Sequence, residues 1–378
     1  MPAEHSDILV IGGGIAGLSA AAELAGHGRV TVLEAEDAIG FHSSGRSATM
    51  VHYALGDSLV RALTLASRPF FEAPADGFSD APLAHRVPVL IHAREDEREA
   101  LDALDSAIAP FATLERLGEA GMRELCPLLR FGAGGAVHGL ADRAALRLDP
   151  HALLQGYERR LRGRGGRLVT GARIADISGG ASGWDVATDR GARFTCGTLV
   201  NAAGAWADAV AELAGVPPLG LTPLRRTIIT FDAPPGTDVA RLPFAKTVGD
   251  ELYFAPESGR LFASPMDEVP SDPCDAQPDE YEVALAAFRM EERTCVEVRR
   301  IHSRWAGLRT FAPDRHPVAG FAPQAPGFFW LAGQGGFGLQ TSPAMAAIAE
   351  SLVAGSAWPV EGVSPAELDP GRFVGKAA

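Results

Sequence analysis

The sequence predicts an α/β protein, α+β overall, in which a nucleotide-binding part of βαβ type carries an inserted β-rich part. Three observations predict it. A strand, glycine turn, helix, strand and acid open the chain at DILVIGGGIAGLSAAAELAGHGRVTVLEAE, residues 7–36. Strand-like runs separated by Pro-rich turns fill Leu221 to Trp305. A second glycine loop, GQGGFG at 333–338, precedes a helical run near the end of the chain.

Asp7 to Ile11 is a short aliphatic run of the kind buried on both faces of a parallel sheet. Gly12, Gly14 and Gly17 follow as G-x-G-x-x-G. Gly12 permits the tight turn, Gly14 lets the backbone approach a pyrophosphate, and Gly17 lets the helix pack on the strand. The helix, about Ile15 to Gly26, aims free N–H groups and its positive dipole end at that anion. Arg29 to Leu33 returns as the second strand, and Glu34 ends it where a carboxylate accepts both ribose hydroxyls. That acid repels a 2′-phosphate, which argues against NADP and leaves FAD and NAD open. The fold class is therefore a Rossmann-like part with a β-rich insert.

Next comes the Ser- and Gly-rich FHSSGRSATMVHYALGD, Phe41 to Asp57, and a helix from Ser58 to Phe71 that Pro69 kinks or ends. Arg94 to Ala109 reads as a solvated helix, and Cys126 to Leu140 as a Gly-rich loop. Asp149 caps a helix running from Pro150 to about Gly163. Arg167–Val169, Ala172–Ile177, Trp184–Thr188 and Phe194–Cys196 suggest an antiparallel meander, with Leu199 to Asn201 a further buried strand. Strands are expected at Arg226–Phe231, Leu252–Phe254, Leu261–Ser264 and Val296–Trp305, with one helix, capped by Asp279, over Glu280–Thr294. Gly327 to Leu331 reads as a strand and Pro343 to Val353 as a helix. Nucleotide-binding pieces at both ends imply a discontinuous part, residues 1–85, 141–218 and 308–378, around a substrate part of residues 86–140 and 219–307.

At 378 residues with 47% hydrophobic content, the chain has room for two cores. A net charge of −13 argues against nucleic acid or an anionic membrane as partner. The four cysteines are scattered without ligand spacing, so no metal site is expected and a reducing, cytoplasmic setting is. The polar start MPAEHSD reads as lacking a signal peptide, and no apolar run reaches a membrane span.

Five motifs, VIGGGIAGLSAA with Glu34, FHSSGRSA, LVNAAGAW, WAGLRTFAPDRHPVAG and LAGQGGFGLQTSPAM, are spread along nearly the whole length. With them the chain resembles the D-amino-acid oxidase-like FAD enzymes, which include glycine oxidase, sarcosine oxidase and D-amino-acid dehydrogenases, and among them bacterial D-arginine dehydrogenase. The resemblance implies FAD, expected to be non-covalent: no cysteine follows WAGLR as in sarcosine oxidase, and His42, at the flavin-linked position of dimethylglycine-dehydrogenase-like relatives, is also present without a bond in D-arginine dehydrogenases. The ADP half would lie on Gly12, Gly14, Ile15, Ala16, Gly17, Glu34, Ala35 and Ile174. His42, Ser43, Ser44, Arg46, Ser47 and Ala48 would follow the pyrophosphate and ring edge, with Ala203, Gly204 and Trp206 at the ribityl region. Gly333, Gly335, Gly336, Phe337, Gly338, Gln340 and Thr341 would place N–H groups and a helix N-terminus at the flavin edge. The implied chemistry is hydride transfer from an amine-bearing carbon to flavin N5, giving an imine that hydrolyses to an oxo acid and ammonia. Arg309 would fork onto the substrate carboxylate, Tyr253 would support it, and Arg226, with Arg225 an equal candidate by sequence, would add a cation. The carbonyl of Gly336 would accept from the substrate amine.

The chain departs from D-arginine dehydrogenase where the side chain is read. Met50 stands at the family histidine, Leu55 at the lid tyrosine, and Val89 at the glutamate that pairs with the guanidinium; His52 lies two residues past Met50. A buried valine leaves a cation unpaired, so the expectation is an apolar pocket for a neutral or apolar D-amino acid. Oxidation of an N-substituted, sarcosine-like amino acid and a non-catalytic flavoprotein subunit are the alternatives. The expected partners are a small amino-acid substrate and an electron acceptor, a quinone, another carrier or O2. Sarcosine-oxidase-type enzymes use a lysine near the flavin for O2. Here Lys246 lies outside any matching motif and the other lysine is Lys376, which favours a dehydrogenase.

Overall fold

The computed structural model describes residues 3–373, so Lys376 lies outside the described residues. In the first of two large sheets, β1 (Glu4–Ile11) runs between β2 (Val30–Leu33) and β12 (Arg193–Asn201), parallel to both. β9 (Arg167–Val169) extends the parallel part beyond β2. β10 (Ile174–Gly180) and β11 (Gly183–Thr188) fold antiparallel onto the first half of β12. The second half of β12 pairs with β20 (Phe328–Ala332), whose far edge holds β19 (Val318–Phe321).

Alternation along β1 feeds two cores, as a strand buried on both faces requires. Ile8 and Val10 pack among α1 (Ile15–Leu24), α2 (Ser58–Glu72), α5 (Pro150–Gly163) and α8 (Gly338–Ala354). Leu9 and Ile11 pack on the opposite face with Leu199, Phe328 and Val210, the last from α6 (Ala207–Leu213). The remaining helices are α3 (Arg98–Ile108), α4 (Glu119–Leu125), α7 (Glu280–Arg293) and α9 (Pro365–Leu368). Among the described residues no helix is long and apolar enough to cross a membrane.

The second sheet is ordered β21 (Gln334–Gly335), β18 (Ile301–Phe311), β13 (Thr222–Phe231), β16 (Arg260–Ser264), β15 (Tyr253–Glu257), β14 (Phe244–Thr247), β5 (Val89–Ala93), β7 (His138–Asp142) and β6 (Glu115–Gly118). β17 (Val269–Pro270) pairs beside β13. A small third sheet joins β3 (Met50–Val51), β8 (Leu146–Leu148) and β4 (Ala84–Arg86). β21 and α8 follow β20 directly, so the C-terminal glycine loop links the two large sheets.

Several expected elements differ. Phe194–Cys196 and Leu199–Asn201 are one strand, because β12 changes partner from β11 to β20 along its length. Arg167–Val169 is not part of the meander but a parallel neighbour of β2. His138–Leu140, expected in a loop, lies in β7 against β5. Val296 to Arg300 is not strand. Two of its N–H groups go to side chains instead, Val296 to Thr294 Oγ1 at 3.1 Å and Val298 to Glu291 Oε1 at 2.9 Å. α2 continues to Glu72 beyond Pro69. α8 starts at Gly338, before Pro343, and Ser342 Oγ donates at 3.0 Å to the Leu339 carbonyl that proline leaves without its helical N–H.

Candidate active site

The βαβ turn is built as its glycines require. Gly12 has φ +112°, and a Cβ there would stand 2.4 Å from the Ala202 carbonyl oxygen. A Cβ on Gly17 would stand 1.9 Å from the Gly12 carbonyl oxygen, so the helix crosses the strand where only glycine fits. Glu34 is buried; Oε2 accepts from Gly13 N at 2.6 Å and Oε1 from Glu36 N at 2.8 Å. Each oxygen retains acceptor capacity for a ribose hydroxyl.

Above this turn runs a cleft lined by Gly12, Gly14, Glu34, Ala35, His42, Ile174, Ala203, Gly204 and Trp206, and also by Glu36 and Arg173. The first turn of α1 carries no acidic residue, and a Cβ on Gly204 would meet nothing within 4 Å. An open cleft, a bare helix N-terminus and a ribose-type acid fit the ADP half of a dinucleotide. His42 is held by Glu36 Oε1 at 3.1 Å and by the Trp206 ring at 4.6 Å between centroids.

A second cavity shares Ser43 and Ser44 with this cleft. Ser44 Oγ accepts from Ile15 N at 3.0 Å, and Ser43 Oγ donates to the Leu308 carbonyl at 2.5 Å. The turn between the clefts is thus pinned to α1 on one side and β18 on the other. Arg46 lines the cavity, yet its guanidinium is spent on the carbonyls of Ala276 and Ala306, both at 3.1 Å, and on Asp275 at 2.5 Å. It ties the turn to β18 more than it offers donors to a pyrophosphate. Ser47, Ala48, Gly335, Gly336 and Gly338 line the same cavity.

Four of the expected cofactor residues, Gly333, Phe337, Gln340 and Thr341, line neither the cleft nor the cavity. Gln340 Nε2 donates to Thr64 Oγ1 on α2 at 3.0 Å. Thr341 spends both its N–H and its hydroxyl on the Phe337 carbonyl. Phe337 packs on Phe311, and Gly333 (φ +72°) turns the chain against Ala312. The first N–H groups of α8 remain, and its first turn carries no acid.

The cavity gathers most of the expected substrate residues: Met50, His52, Leu55, Arg226, Tyr253, Arg309 and Gly336. Arg309 sits on β18 with 15% of its side chain open. Its one side-chain partner among the described residues is Glu268, at 3.4 Å, which also takes Arg226 at 3.5 Å and Arg315 at 2.9 Å. Burial, then the neighbouring Arg226, pulls the Arg309 guanidinium down to about 9, with Tyr253 and Glu268 opposing; it stays a cation at neutral pH. Gly336 makes room for it, since a Cβ there would stand 1.9 Å from Arg309 Nη2. The Tyr253 hydroxyl has no hydrogen-bond partner among the described residues, and its ring stacks on Phe244 at 5.2 Å.

Strand alternation separates the two adjacent arginines. Arg226 enters the cavity, its Nε donating to the Asp267 carbonyl at 2.8 Å, while Arg225 turns to the opposite face and meets Glu282 of α7 at 3.4 Å.

Two expectations need correction. Val89 lies on the cavity-side face of β5, beside Phe244, but it is wholly buried in the cluster of Met50, Tyr53 and Phe244 and lines nothing. Lys246, which lies outside any motif matching a flavin-side lysine, nevertheless lines the cavity from β14. β14 is four fully buried residues with a lysine among them, which breaks the apolar pattern that announces a strand. The local sequence LPFAKTV sets that lysine among mostly apolar neighbours, but its burial follows from the strands that pair beside it. Ile228, Phe244, Met266 and Leu339 complete the apolar lining, and no aspartate or glutamate lines the cavity among the described residues.

A sequence-family model described as FAD dependent oxidoreductase matches residues 7–352. The chain is 25% identical over 264 residues to the hydrogen cyanide synthase subunit HcnC of Pseudomonas aeruginosa, covering 68% of this chain and 61% of that protein. It is 27% identical over 334 residues to glycerol-3-phosphate dehydrogenase 1 of Mycobacterium tuberculosis, covering 80% of this chain and 62% of that one. The match thus spans less than two thirds of either relative's length. In fold it is similar to glycine oxidase from Geobacillus kaustophilus, with a TM-score of 0.85 over 98% of this chain and all of the other, at 21% identity.

Proposed function

The chain belongs to the FAD dependent oxidoreductases, and within that family we infer that it oxidises the amine-bearing carbon of a small amino acid. FAD, its cofactor, supplies a hydride acceptor at N5 when bound. We place its ADP half on the Glu34 cleft and its ring beside Ser47, Gly335 and the first turn of α8. Attachment is non-covalent in this reading, with His42 held by Glu36 and packed on Trp206. We assign the nucleotide part to the first large sheet and the substrate part to the second, to which residues 141–142, 308–311 and 334–335 also belong.

Arg309 carries the reading. A guanidinium with open donors, facing a cavity that also holds a free phenol, suits a carboxylate taken as a fork, with Tyr253 adding a neutral donor. Two fixed anchors leave the α-carbon little rotational freedom, which is the orienting effect the chemistry needs. The Gly336 carbonyl accepts from the amine. Met50, Leu55, Ile228, Phe244 and Met266 line the side-chain region and keep water out. Such walls support a neutral or apolar side chain of a D-amino acid. The two acids near Tyr253 in sequence, the candidates for neutralising a cationic side chain, are engaged, Asp250 with Lys246 and Glu251 with Arg293.

Anaerobic bleaching of the flavin against D-, L- and N-methyl amino acids and glycerol 3-phosphate tests this. Fastest bleaching by a non-cationic amino acid supports it. A preference for D-arginine, or for glycerol 3-phosphate over every amino acid, overturns it.

A further inference from the structure

Lys246 has no part in the chemistry just described, yet it is 2% exposed inside the cavity. A buried ammonium is costly unless its charge is matched. Its side-chain partner, Asp250, lies on a turn with 60% of its side chain open to solvent, so the match is shared with water. Of three N–H donors, one goes to Asp250 and one to the Ala54 carbonyl at 3.3 Å; the third has no partner among the described residues.

A second donor stands beside it. His52 Nδ1 accepts from Ala54 N at 3.2 Å, which puts the ring proton on Nε2, a buried atom without a partner. Burial and the Lys246 charge hold His52 neutral, with its protonation down to about 3. The one backbone unit of Ala54 therefore fixes both groups. Arg309 and Lys246 are on β18 and β14, four strands apart, or on the order of 20 Å at the backbone before both long side chains reach inward. Ile228, Phe244 and Met266 line the same cavity.

We propose that Lys246 determines specificity by taking an anionic group at the far end of the substrate side chain, with His52 as a second donor. The substrate is then an amino acid with two acidic ends, its α-carboxylate on Arg309 and its apolar stem along the walls. This rests on the amine-oxidation reading and changes one part of it, the character of the side chain.

Wild-type holoenzyme, Lys246→Met, Lys246→Arg and Asp250→Asn are compared by kcat/KM on glutamate and on methionine, a neutral substrate of similar length, in both enantiomers. Wild type is expected to prefer glutamate. Lys246→Met lowers the glutamate-to-methionine ratio by on the order of 100-fold or more, because a buried charge loses its partner, and Lys246→Arg restores part of it. Asp250→Asn, at an exposed position, lowers KM for glutamate by removing a competing anion. A wild-type preference for methionine, with a ratio unmoved by Lys246→Met, overturns the proposal while leaving amine oxidation standing. If no amino acid reduces the flavin in any of the four proteins, the underlying reading fails instead.

Discussion

Gly336→Ala separates the carboxylate anchor from the fold. The φ of Gly336 lies outside the left-handed range, so alanine suits the backbone. Its Cβ, however, would stand 1.9 Å from Nη2, 2.2 Å from Nε and 2.3 Å from Cζ of Arg309. The far end of a flexible side chain yields more cheaply than backbone, so the guanidinium moves and the fork is lost. Two hydrogen bonds to a charged group contribute about 1.5–3 kcal/mol each, so the loss is about 3–6 kcal/mol. At 1.36 kcal/mol per factor of ten, kcat/KM falls by about 10²–10⁴. The assay is kcat/KM on the best amino-acid substrate, with FAD content and Tm measured alongside and expected to match wild type. Gly335→Ala is the contrast, since φ there is +54° and its Cβ would meet the Phe311 ring at 2.2 Å. That variant loses stability first. A Gly336→Ala enzyme with kcat/KM within threefold of wild type refutes the anchor (the threshold sits about 0.65 kcal/mol from no effect at all).

Arg309 also sets a pH limit. Binding of a carboxylate inhibitor lacking an amine requires the charged guanidinium, so its Kd is flat at neutral pH and rises about tenfold per unit above about 9, a slope that Arg309→Met removes. At the acid end, His52 and His92 are buried and held neutral, each down to about 3 from 6.5. The unfolded chain binds those protons first, so stability is complete above about pH 6.5 and is lost as pH falls toward 3. Each histidine takes away about 2 kcal/mol between pH 6.5 and 5, and His52→Gln should flatten the measured dependence of unfolding free energy.

The nucleotide half of the molecule was legible because its signals are local. Gly12, Gly17 and Glu34 act within one βαβ unit, and their roles follow from spacing alone. Helix ends marked by Asp149 and Asp279 were likewise readable, since a cap acts over three residues. The substrate cavity is assembled from strands far apart in sequence, and there a residue's strand was readable but its exposure was not. Val89 faces the right side of its strand, but Met50 and Tyr53 cover it. Arg225 and Arg226 differ only in which face of β13 each occupies, which depends on the register with β18. Lys246 is the reverse case: a polar residue in a short strand whose burial becomes visible only once β5 and β15 pair on either side.

Product analysis of a single anaerobic turnover tests the central claim most directly. One equivalent of amino acid added to oxidised holoenzyme should bleach one equivalent of flavin and yield, after quenching, one oxo acid and one ammonium, or the free amine from an N-substituted substrate. Flavin bleached without release of ammonium or amine would mean that the oxidised carbon bears no nitrogen, and would contradict the account.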